Sequence, residues 1–305
     1  MRVFVTGSTG FVGTAVVNEL LSAGHQVLGL TRSDSGADKL KAQGAEPLHG
    51  TLDDLDVLKK GAAECDAVIH LAFVHDFANF AKSCATDRAA IEAMGSVLAA
   101  AGGDRALVVT SGTMLLLSRK PATETDAPDT DNAFAAARGP SESLCLGFAK
   151  QGVRASVVRL APTVHGPGSS GFTGMFASIA MQKGVSAYVG EGQNRWCAVH
   201  RDDAAKVYRL AAEKTIAGSV FHAVAEEGVP VREIATEVGK CLGVPVVSIP
   251  AEEAESHFGW VQFAALADNT ASSALTREQL GWVPTAPTVI EDIPIIVDFA
   301  RSQSA

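Results

Sequence analysis

Short strand-like runs alternate with amphipathic stretches along the first 160 residues of the chain. The runs are only four or five residues long, which is typical of strands buried in a sheet. They predict strands at residues 3–6, 26–30, 46–49, 67–71, 106–110 and 156–160. Between them, apolar residues recur at helical spacing and predict helices at residues 14–22, 37–43, 52–62, 87–101 and 134–150.

Some of these strands are apolar at every position, as in residues 67–69 and 107–109. A strand that is apolar on both faces is typical of a parallel sheet that helices cover on both sides. The pattern therefore predicts an α/β fold with a Rossmann-type, doubly wound parallel sheet. Beyond it the pattern predicts a long loop at 161–174, strands at 219–224 and 244–249, a helix at 231–242, and a helical tail from Ser272 interrupted at 281–284.

The composition excludes several classes of protein. Of the 305 residues, 47% are apolar and 19% are charged, which suffices for a sizeable core. The formal charge of −9 argues against nucleic acid as a partner. No apolar run reaches the roughly 18–20 residues that span a bilayer. Residues 1–7 read as a strand that runs into a glycine turn, so we expect no signal peptide. We therefore expect a cytoplasmic protein without a membrane partner.

The cysteines support a reducing compartment. They are odd in number, widely spaced and without a CxxC pair, so we expect neither a zinc or other metal site nor a disulfide framework. The five positions are Cys65, Cys84, Cys145, Cys197 and Cys241.

A glycine-rich turn joins the first predicted strand to the first helix. Gly7, Gly10 and Gly13 stand in GxxGxxG spacing. Glycines let the backbone turn tightly against a diphosphate, and the following helix N-terminus offers unpaired N–H groups. The strand–turn–helix context predicts a dinucleotide site. We assign residues 1–170 to a dinucleotide-binding domain and residues 171–305 to a smaller substrate-binding layer, partly interleaved with the sheet.

The end of the second strand bears on which dinucleotide is bound. An NAD site usually places an acid here for the ribose hydroxyls, whereas Arg32 and Ser33 suit a 2′-phosphate by charge and hydrogen bonding. NADP is therefore the expected cofactor. NAD stays open as the alternative, with Asp34 as the ribose acid.

Six segments in order resemble the extended and atypical short-chain dehydrogenases/reductases, specifically the NAD-dependent epimerase/dehydratase-like proteins. They are 5–13 (VTGSTGFVG), 51–53 (TLD), 67–72 (AVIHLA), 159–168 (RLAPTVHGPG), 198–205 (AVHRDDAA) and 280–284 (LGWVP). The resemblance covers nearly the whole chain. It implies cofactor contacts by Gly7, Thr9, Gly10, Phe11, Val12, Thr51, Leu52, Leu71, Ala72, Pro162 and Val164.

The catalytic motif departs from this family. Its members carry Tyr-x-x-x-Lys on the helix after the fifth strand, where the lysine lowers the pKa of the tyrosine. Here Arg138 stands at the tyrosine position and Glu142 at the lysine position. The two tyrosines, Tyr188 and Tyr208, are followed four residues later by Gly and Ala, so the chain has no YxxxK. The family's catalytic hydroxyl position falls on Gly112.

Other polar residues are therefore candidates for the chemistry. Ser111 and Thr113 flank Gly112 and could bond a carbonyl oxygen, or simply cap the strand end. Arg138 and Glu142, four residues apart, are predicted to pair on the helix; Arg138 would polarise a carbonyl or bind a carboxylate, or the pair would be structural. His165, in the loop beside the nicotinamide, is a candidate acid or base, or a hydrogen-bonding loop residue.

Aromatic and histidine side chains suggest an apolar substrate pocket. The candidates are His75, Phe172, Trp196 and His200, with Phe73, Phe77 and Phe80 at an apolar entrance. The sequence thus predicts an NAD(P)-dependent oxidoreductase, a monomer or homodimer, that exchanges hydride between a small carbonyl compound and its secondary alcohol. A non-catalytic NAD(P)-binding sensor, and an epimerase or isomerase with a retained cofactor, remain alternatives.

Overall fold

The structure, a computed structural model, describes residues 1–117, 121–169 and 171–304. The strands are β1 (Arg2–Thr6), β2 (Gln26–Thr31), β3 (Glu46–His49), β4 (Ala67–His70), β5 (Ala106–Gly112), β6 (Arg154–Leu160), β7 (Thr163–His165), β8 (Ser186–Val189), β9 (Arg195–His200), β10 (Ser219–Ala223), β11 (Glu226–Pro230) and β12 (Val246–Ile249). The helices are α1 (Phe11–Ser22), α2 (Asp34–Gln43), α3 (Leu55–Ala63), α4 (Phe80–Ala101), α5 (Ala133–Gly147), α6 (Phe172–Lys183), α7 (Arg201–Lys214), α8 (Val231–Leu242), α9 (Ala254–Phe258), α10 (Gln262–Leu266), α11 (Ala274–Leu280) and α12 (Val289–Ser304).

Seven parallel strands form the central sheet in the order β10-β6-β5-β4-β1-β2-β3. The register places Val5 of β1 between Ile69 of β4 and Gly29 of β2. The strand order reverses at β1 and β4, and ligands of such sheets bind outside the carboxyl ends of the strands at this point. The predicted Rossmann-type α/β fold is confirmed.

Helices cover both faces of this sheet, and the alternation of side chains along β5 shows which residue faces which layer. Val108 packs with α1 and α7, whereas Leu107 and Val109 pack with α3, α4 and α5. Since successive side chains of a strand point to opposite faces, Thr110 lies on the α1/α7 side. Ser111 lies on the α4/α5 side.

The C-terminal part builds a smaller layer and also returns to the main sheet. β7, β9 and β11 form a three-stranded sheet, and β8 pairs with β12. A separate apolar core joins α6, α8 and α12 to these strands. β10 lies beside β6 in the main sheet, and α7 packs on α1. A boundary after residue 170 therefore divides both sheets, because β7 precedes it and β10 follows it.

The structure differs from the sequence prediction at residues 161–174 and at the start of α4. Residues 161–174, expected as a loop, contain β7 and the start of α6. The reason is tertiary, because Thr163–His165 pair with the distant strand β9, which the local composition does not show. α4 begins at Phe80, seven residues before the predicted start, where the hydroxyl of Ser83 bonds the carbonyl of Asn79.

Within the described residues, no helix is both long enough and apolar enough to cross a lipid bilayer.

Candidate functional site

The turn between β1 and α1 requires glycine at two of its positions. Gly7 has a φ of +68°, a conformation that L side chains rarely adopt, and a Cβ there would lie 2.8 Å from the Ala72 nitrogen. A Cβ on Gly13 would lie 1.9 Å from the Gly7 carbonyl oxygen. The Gly10 N–H donates to that same oxygen at 3.0 Å. The absence of side chains therefore brings the start of α1 directly against the turn.

The N-terminus of α1 is open for an anion. Its cap, Gly10, offers no side-chain hydrogen bond, and the first turn has no acidic residue. Thr9 and Gly10 are exposed, and Phe11 and Val12 are half-buried. The unpaired N–H groups and the helix dipole favour negative charge here. This cradle fits the diphosphate of a dinucleotide.

The start of α2 forms the adenosine end of the predicted site. Arg32 and Ser33 are exposed. The Oγ of Ser33 accepts the Gly36 N–H at 3.2 Å and so caps α2. Asp34, the alternative ribose acid, has its carboxylate 3.9 Å from Nε2 of His49. Arg32 and Ser33 thus flank a second helix N-terminus.

The remaining predicted cofactor contacts lie along the same edge of the sheet. The N–H and Oγ of Thr51 both donate to the Asp54 carboxylate at 2.8 Å, and these bonds lower the pKa of Asp54. Leu52 is buried. The Ala72 N–H donates to Oγ1 of Thr6 at 3.2 Å. The half-buried members of this set are Leu71, Ala72, Pro162 and Val164.

A buried arginine on α5 reaches the carboxyl end of β5. Arg138 donates to the Asp87 carboxylate, to Oγ of Ser141 at 3.1 Å and to the Thr110 carbonyl at 2.9 Å. Its guanidinium lies 4.5 Å from the ring centroid of Phe73, and 10% of the side chain is exposed. Of its five N–H bonds, two have no partner among the described residues. Such a cation can bind a carbonyl oxygen or a carboxylate.

Asp87 on α4 fixes the position of Arg138. It is fully buried, and His70 Nε2 lies 3.3 Å from its Oδ1, while Nδ1 of His70 lies 2.7 Å from Oγ1 of Thr6. Burial alone would raise the pKa of Asp87. The contact with His70 and the charge of Arg138 outweigh burial and hold this pKa at about 2. A polar chain therefore runs from β1 to the ionised Asp87–Arg138 pair.

Ser111 carries a buried hydroxyl without a hydrogen-bond partner among the described residues. It lies on the same face of the sheet as α5 and Arg138. Since buried polar groups are nearly always paired, an unpaired one suggests a ligand contact. Its neighbour Thr110 is satisfied, donating to the His70 carbonyl at 2.8 Å and lying 2.9 Å from the Tyr208 hydroxyl. Burial raises the pKa of Tyr208.

Glu142 has a different partner from the predicted one. Both its carboxylate oxygens accept hydrogen bonds from Arg159 of β6, at 2.9 and 2.7 Å, and both side chains are buried. The predicted Arg138–Glu142 pair is therefore wrong. The reason is that each long side chain reaches sideways to another element, Arg138 to Asp87 on α4 and Glu142 to β6.

A chain of aromatic side chains, which we call the aromatic row, begins close to Arg138. Successive ring centroids are 4.7, 6.1, 4.9, 6.2 and 5.6 Å apart. The row comprises, in spatial order, Phe134, Phe80, Phe77, Trp260, Phe263 and Phe172. Phe73, which stacks on Arg138, lies 6.0 Å from Phe80. The row thus leads from the smaller layer to the arginine.

Comparison with known proteins identifies the family. The sequence model of the NAD dependent epimerase/dehydratase family matches residues 3–224. The chain belongs to this family.

Relatives within the epimerase/dehydratase family extend over most of the chain. "Uncharacterized protein C2A9.02" of Schizosaccharomyces pombe is 51% identical, covering 96% of this chain and 98% of the relative. A 4-hydroxy-2-methyl-3-oxo-4-farnesyl-3,4-dihydroquinoline-1-oxide ketoreductase of Stigmatella aurantiaca is 29% identical, covering 90% and 84%. The structure is also similar to DesIV, a dTDP-glucose 4,6-dehydratase of Streptomyces venezuelae, with TM-score 0.81, 18% identity and coverage of 99% and 97%. At this identity the likeness shows the shared fold.

The structure places Arg138 on α5, the helix after β5, and brings its guanidinium to the Thr110 carbonyl near the end of β5. Its correspondence to the family's tyrosine stays a prediction. Glu142, which stands at the predicted lysine position, forms a buried ion pair with Arg159. Tyr208 does not replace the family tyrosine, because it is fully buried on the opposite, α7 side of β5.

Thr113 lies in the protein interior. It is fully buried, and its Oγ1 donates to the side-chain oxygen of Asn269 at 2.7 Å. The Asn269 amide in turn donates to the Thr113 carbonyl at 3.0 Å, and Cys197 Sγ lies 3.4 Å from the same side chain. These bonds tie the C-terminal segment to the end of β5. The predicted catalytic role of Thr113 has no support in this geometry.

His165 and His200 face α12. His165 is fully buried, with Nδ1 2.6 Å from the Asp292 carboxylate, and His200 Nε2 lies 3.6 Å from the same group. Burial lowers the pKa of His165, and this effect outweighs the hydrogen bond to Asp292, which by itself would raise that pKa. Strand alternation places His165 on the opposite face of β7 from Val164. The two histidines thus contact α12 through Asp292. Their predicted roles in the site stay predictions.

The other predicted pocket residues differ in their exposure to solvent. Trp196 is buried, and its indole N–H donates to the Ala264 carbonyl at 3.0 Å. Phe172 belongs to the aromatic row. His75 is exposed, with its ring 5.4 Å from that of Phe73. Surrounding protein still desolvates His75 and lowers its pKa, and the charge of Arg138 lowers this pKa further.

Sequence reasoning missed Asp87 and the partnership of Glu142 with Arg159. One signal for Asp87 was present, because it precedes Ala90, Ile91 and Met94 at helical spacing and so falls on the buried face of α4. An acid on such a face needs a cation.

Proposed function

We propose that the chain is an NADP(H)-dependent oxidoreductase that exchanges hydride with a ketone or a secondary alcohol. The observation that carries this proposal is the guanidinium of Arg138, which Asp87 holds at the carboxyl edge of the sheet with two N–H bonds unpaired among the described residues. Ser111, with its unpaired buried hydroxyl on the same face, is the second donor. The ketoreductase relative is consistent with this chemistry.

In the proposed reaction, Arg138 and Ser111 bind and polarise the carbonyl oxygen. A dinucleotide held by Gly7, Gly10 and Gly13 at the N-terminus of α1 would supply a hydride to the carbonyl carbon. The π electrons of the carbonyl move to oxygen, where Arg138 stabilises the developing negative charge. Arginine has too high a pKa to give up its proton, and desolvation and the charge of Arg138 lower the pKa of the nearby His75, which favours its neutral form. We therefore assign proton donation to solvent water.

The proposed preference for NADP rests on Arg32 and Ser33 at the N-terminus of α2. Arg32 is exposed and free to contact a 2′-phosphate. Replacing it by alanine is expected to raise KM for NADPH by about 10- to 100-fold, the worth of a charge-assisted hydrogen bond. KM for NADH is expected to stay unchanged. Steady-state kinetics with both cofactors measure this.

Lys39→Ala is the matched control for Arg32→Ala. It removes the same charge from an exposed position further along α2, so it tests long-range attraction alone. Two results would contradict the proposed phosphate contact. One is that both variants raise KM for NADPH equally, and the other is that Arg32→Ala raises KM for NADH as much as KM for NADPH.

Steady-state NADPH oxidation across a panel of ketones tests the function itself. Turnover that is saturable in ketone and absent without protein supports the proposal. Tight NADPH binding without turnover of any ketone would instead favour a dinucleotide-binding sensor. A dinucleotide that co-purifies and never exchanges would favour an epimerase.

A further inference from the structure

The aromatic row presents more exposed ring surface than packing requires. Phe77, Trp260 and Phe263 are 41%, 53% and 40% exposed, although each touches another ring of the row. Contiguous exposed apolar surface on a protein usually marks a binding site. Scattered exposed residues would need no such explanation, but these three are neighbours.

The row spans both parts of the molecule. Phe77 follows β4 in the dinucleotide-binding part, whereas Trp260 lies between α9 and α10 in the smaller layer. Their rings are stacked, with centroids 4.9 Å apart and planes inclined by 29°. Exposed aromatic rings of this kind favour a flat, π-rich ligand, which can lie against their solvent-facing surface.

The same row is continuous with the group that binds the carbonyl. Phe80 contacts Phe73, and Phe73 lies under the guanidinium of Arg138. Phe134 is four residues before Arg138 on α5 and therefore on the same helical face. A ring system resting on the row would thus lie within reach of Arg138.

The charges beside the row disfavour a nucleotide sugar. A diphosphate needs unpaired cations, whereas the charge of Arg138 is already balanced by Asp87. Next to Phe77, Asp76 adds a negative charge, since hydrogen bonding to Asn79 and, to a smaller extent, the charge of Lys82 lower the pKa of Asp76. The charges of Asp76 and Lys82 therefore offset each other beside the row. An uncharged, flat molecule fits this surface better.

We propose that the substrate is a ketone carried on a planar aromatic ring system, which the aromatic row binds by stacking on Phe77 and Trp260. This inference rests on the proposed function for its carbonyl chemistry and on the row for its ring. A carbonyl attached to the ring would extend past Phe80 and Phe73 to Arg138.

Tryptophan fluorescence tests the stacking directly. Of the three tryptophans, Trp196 and Trp282 are 1% exposed and Trp260 is 53% exposed. Titration with 2-acetonaphthone is expected to quench Trp260, with a Kd about ten-fold below that of its saturated counterpart 2-acetyldecalin. Trp260→Phe gives the correction for absorption by the naphthyl group. The Kd of 2-acetyldecalin, which does not quench well, is obtained by competition with 2-acetonaphthone.

Phe77→Leu keeps an apolar side chain but removes the ring. It is expected to raise the Kd of 2-acetonaphthone about ten-fold and to leave the Kd of 2-acetyldecalin unchanged. Phe299→Leu on α12, half-buried and outside the row, is the matched control and should change neither. Equal Kd values for the two ketones, no effect of Phe77→Leu, or tighter binding of UDP-glucose would overturn the inference.

These outcomes separate the inference from the proposed function. Ring-dependent binding of 2-acetonaphthone without NADPH oxidation would leave the stacking site standing and refute the reductase. If Phe77→Leu left the kinetics of ketone reduction unchanged, the reductase function would stand and the stacking site would be refuted.

Discussion

Replacing Arg138 by glutamine is expected to lower kcat/KM for ketone reduction by about 100- to 1000-fold. The reason is that the substituted amide lacks the positive charge that stabilises the developing oxyanion, and the loss of one such donor typically has this effect. The same change leaves Asp87, which is fully buried, without its cation. We therefore also expect the free energy of unfolding to fall by about 3–5 kcal/mol. Steady-state kinetics and urea unfolding measure the two effects separately.

The double variant Asp87→Asn/Arg138→Gln distinguishes a chemical role from a structural one. Two neutral amides can hydrogen-bond without leaving a buried charge, so most of the lost stability should return. Turnover should stay low, because the charge that acts on substrate is still absent. If turnover returned together with stability, Arg138 would act only as the partner of Asp87, and the proposed carbonyl-binding role would fail.

Replacing Gly13 by alanine is expected to weaken NADPH binding by about 100-fold. The new Cβ would lie 1.9 Å from the Gly7 carbonyl oxygen and 2.8 Å from its carbon, both backbone atoms that cannot rotate away. Either α1 or the turn must move by about an ångström, and a displacement of that size in a binding site typically costs about this factor. Quenching of protein fluorescence by NADPH, or isothermal calorimetry, gives the Kd.

Gly147→Ala is the matched control for Gly13→Ala. Gly147 has helical backbone angles at the end of α5, and a Cβ there meets no atom within 4 Å. Alanine should leave NADPH binding unchanged and raise stability by about 0.5–1 kcal/mol. Wild-type affinity in a folded Gly13→Ala protein would show that the β1–α1 turn is not the dinucleotide site.

The sheet and the glycine turn were predictable because their signals are local. Apolar runs of strand length and the helical spacing between them specify elements within a few residues of each other, and the three glycines lie within seven residues. β7 was missed because its partner, β9, lies more than 30 residues further along the chain. Composition around Thr163–His165 shows only a loop.

The partners of the charged residues on α5 were not predictable in this way. A spacing of four residues correctly places Arg138 and Glu142 near each other on the helix, but long side chains choose among all opposite charges within reach. Asp87 is 51 residues away along the chain from Arg138 and Arg159 is 17 from Glu142. Packing of α5 against α4 and β6 brings each of these nearer than the helical neighbour.

By itself the sequence determined the α/β architecture and the position of the glycine turn. It also predicted that this turn binds a dinucleotide and that Arg138 replaces the family's tyrosine. Only the tertiary structure decided what surrounds that arginine, because burial, ion pairing and ring stacking depend on elements far apart in sequence. It paired Glu142 with Arg159 and Thr113 with Asn269 inside the protein. Ser111 and Arg138, by contrast, keep unpaired donors among the described residues. The tertiary structure also assembled the aromatic row, whose rings come from four distant segments of the chain and meet only when the smaller layer packs beside the sheet.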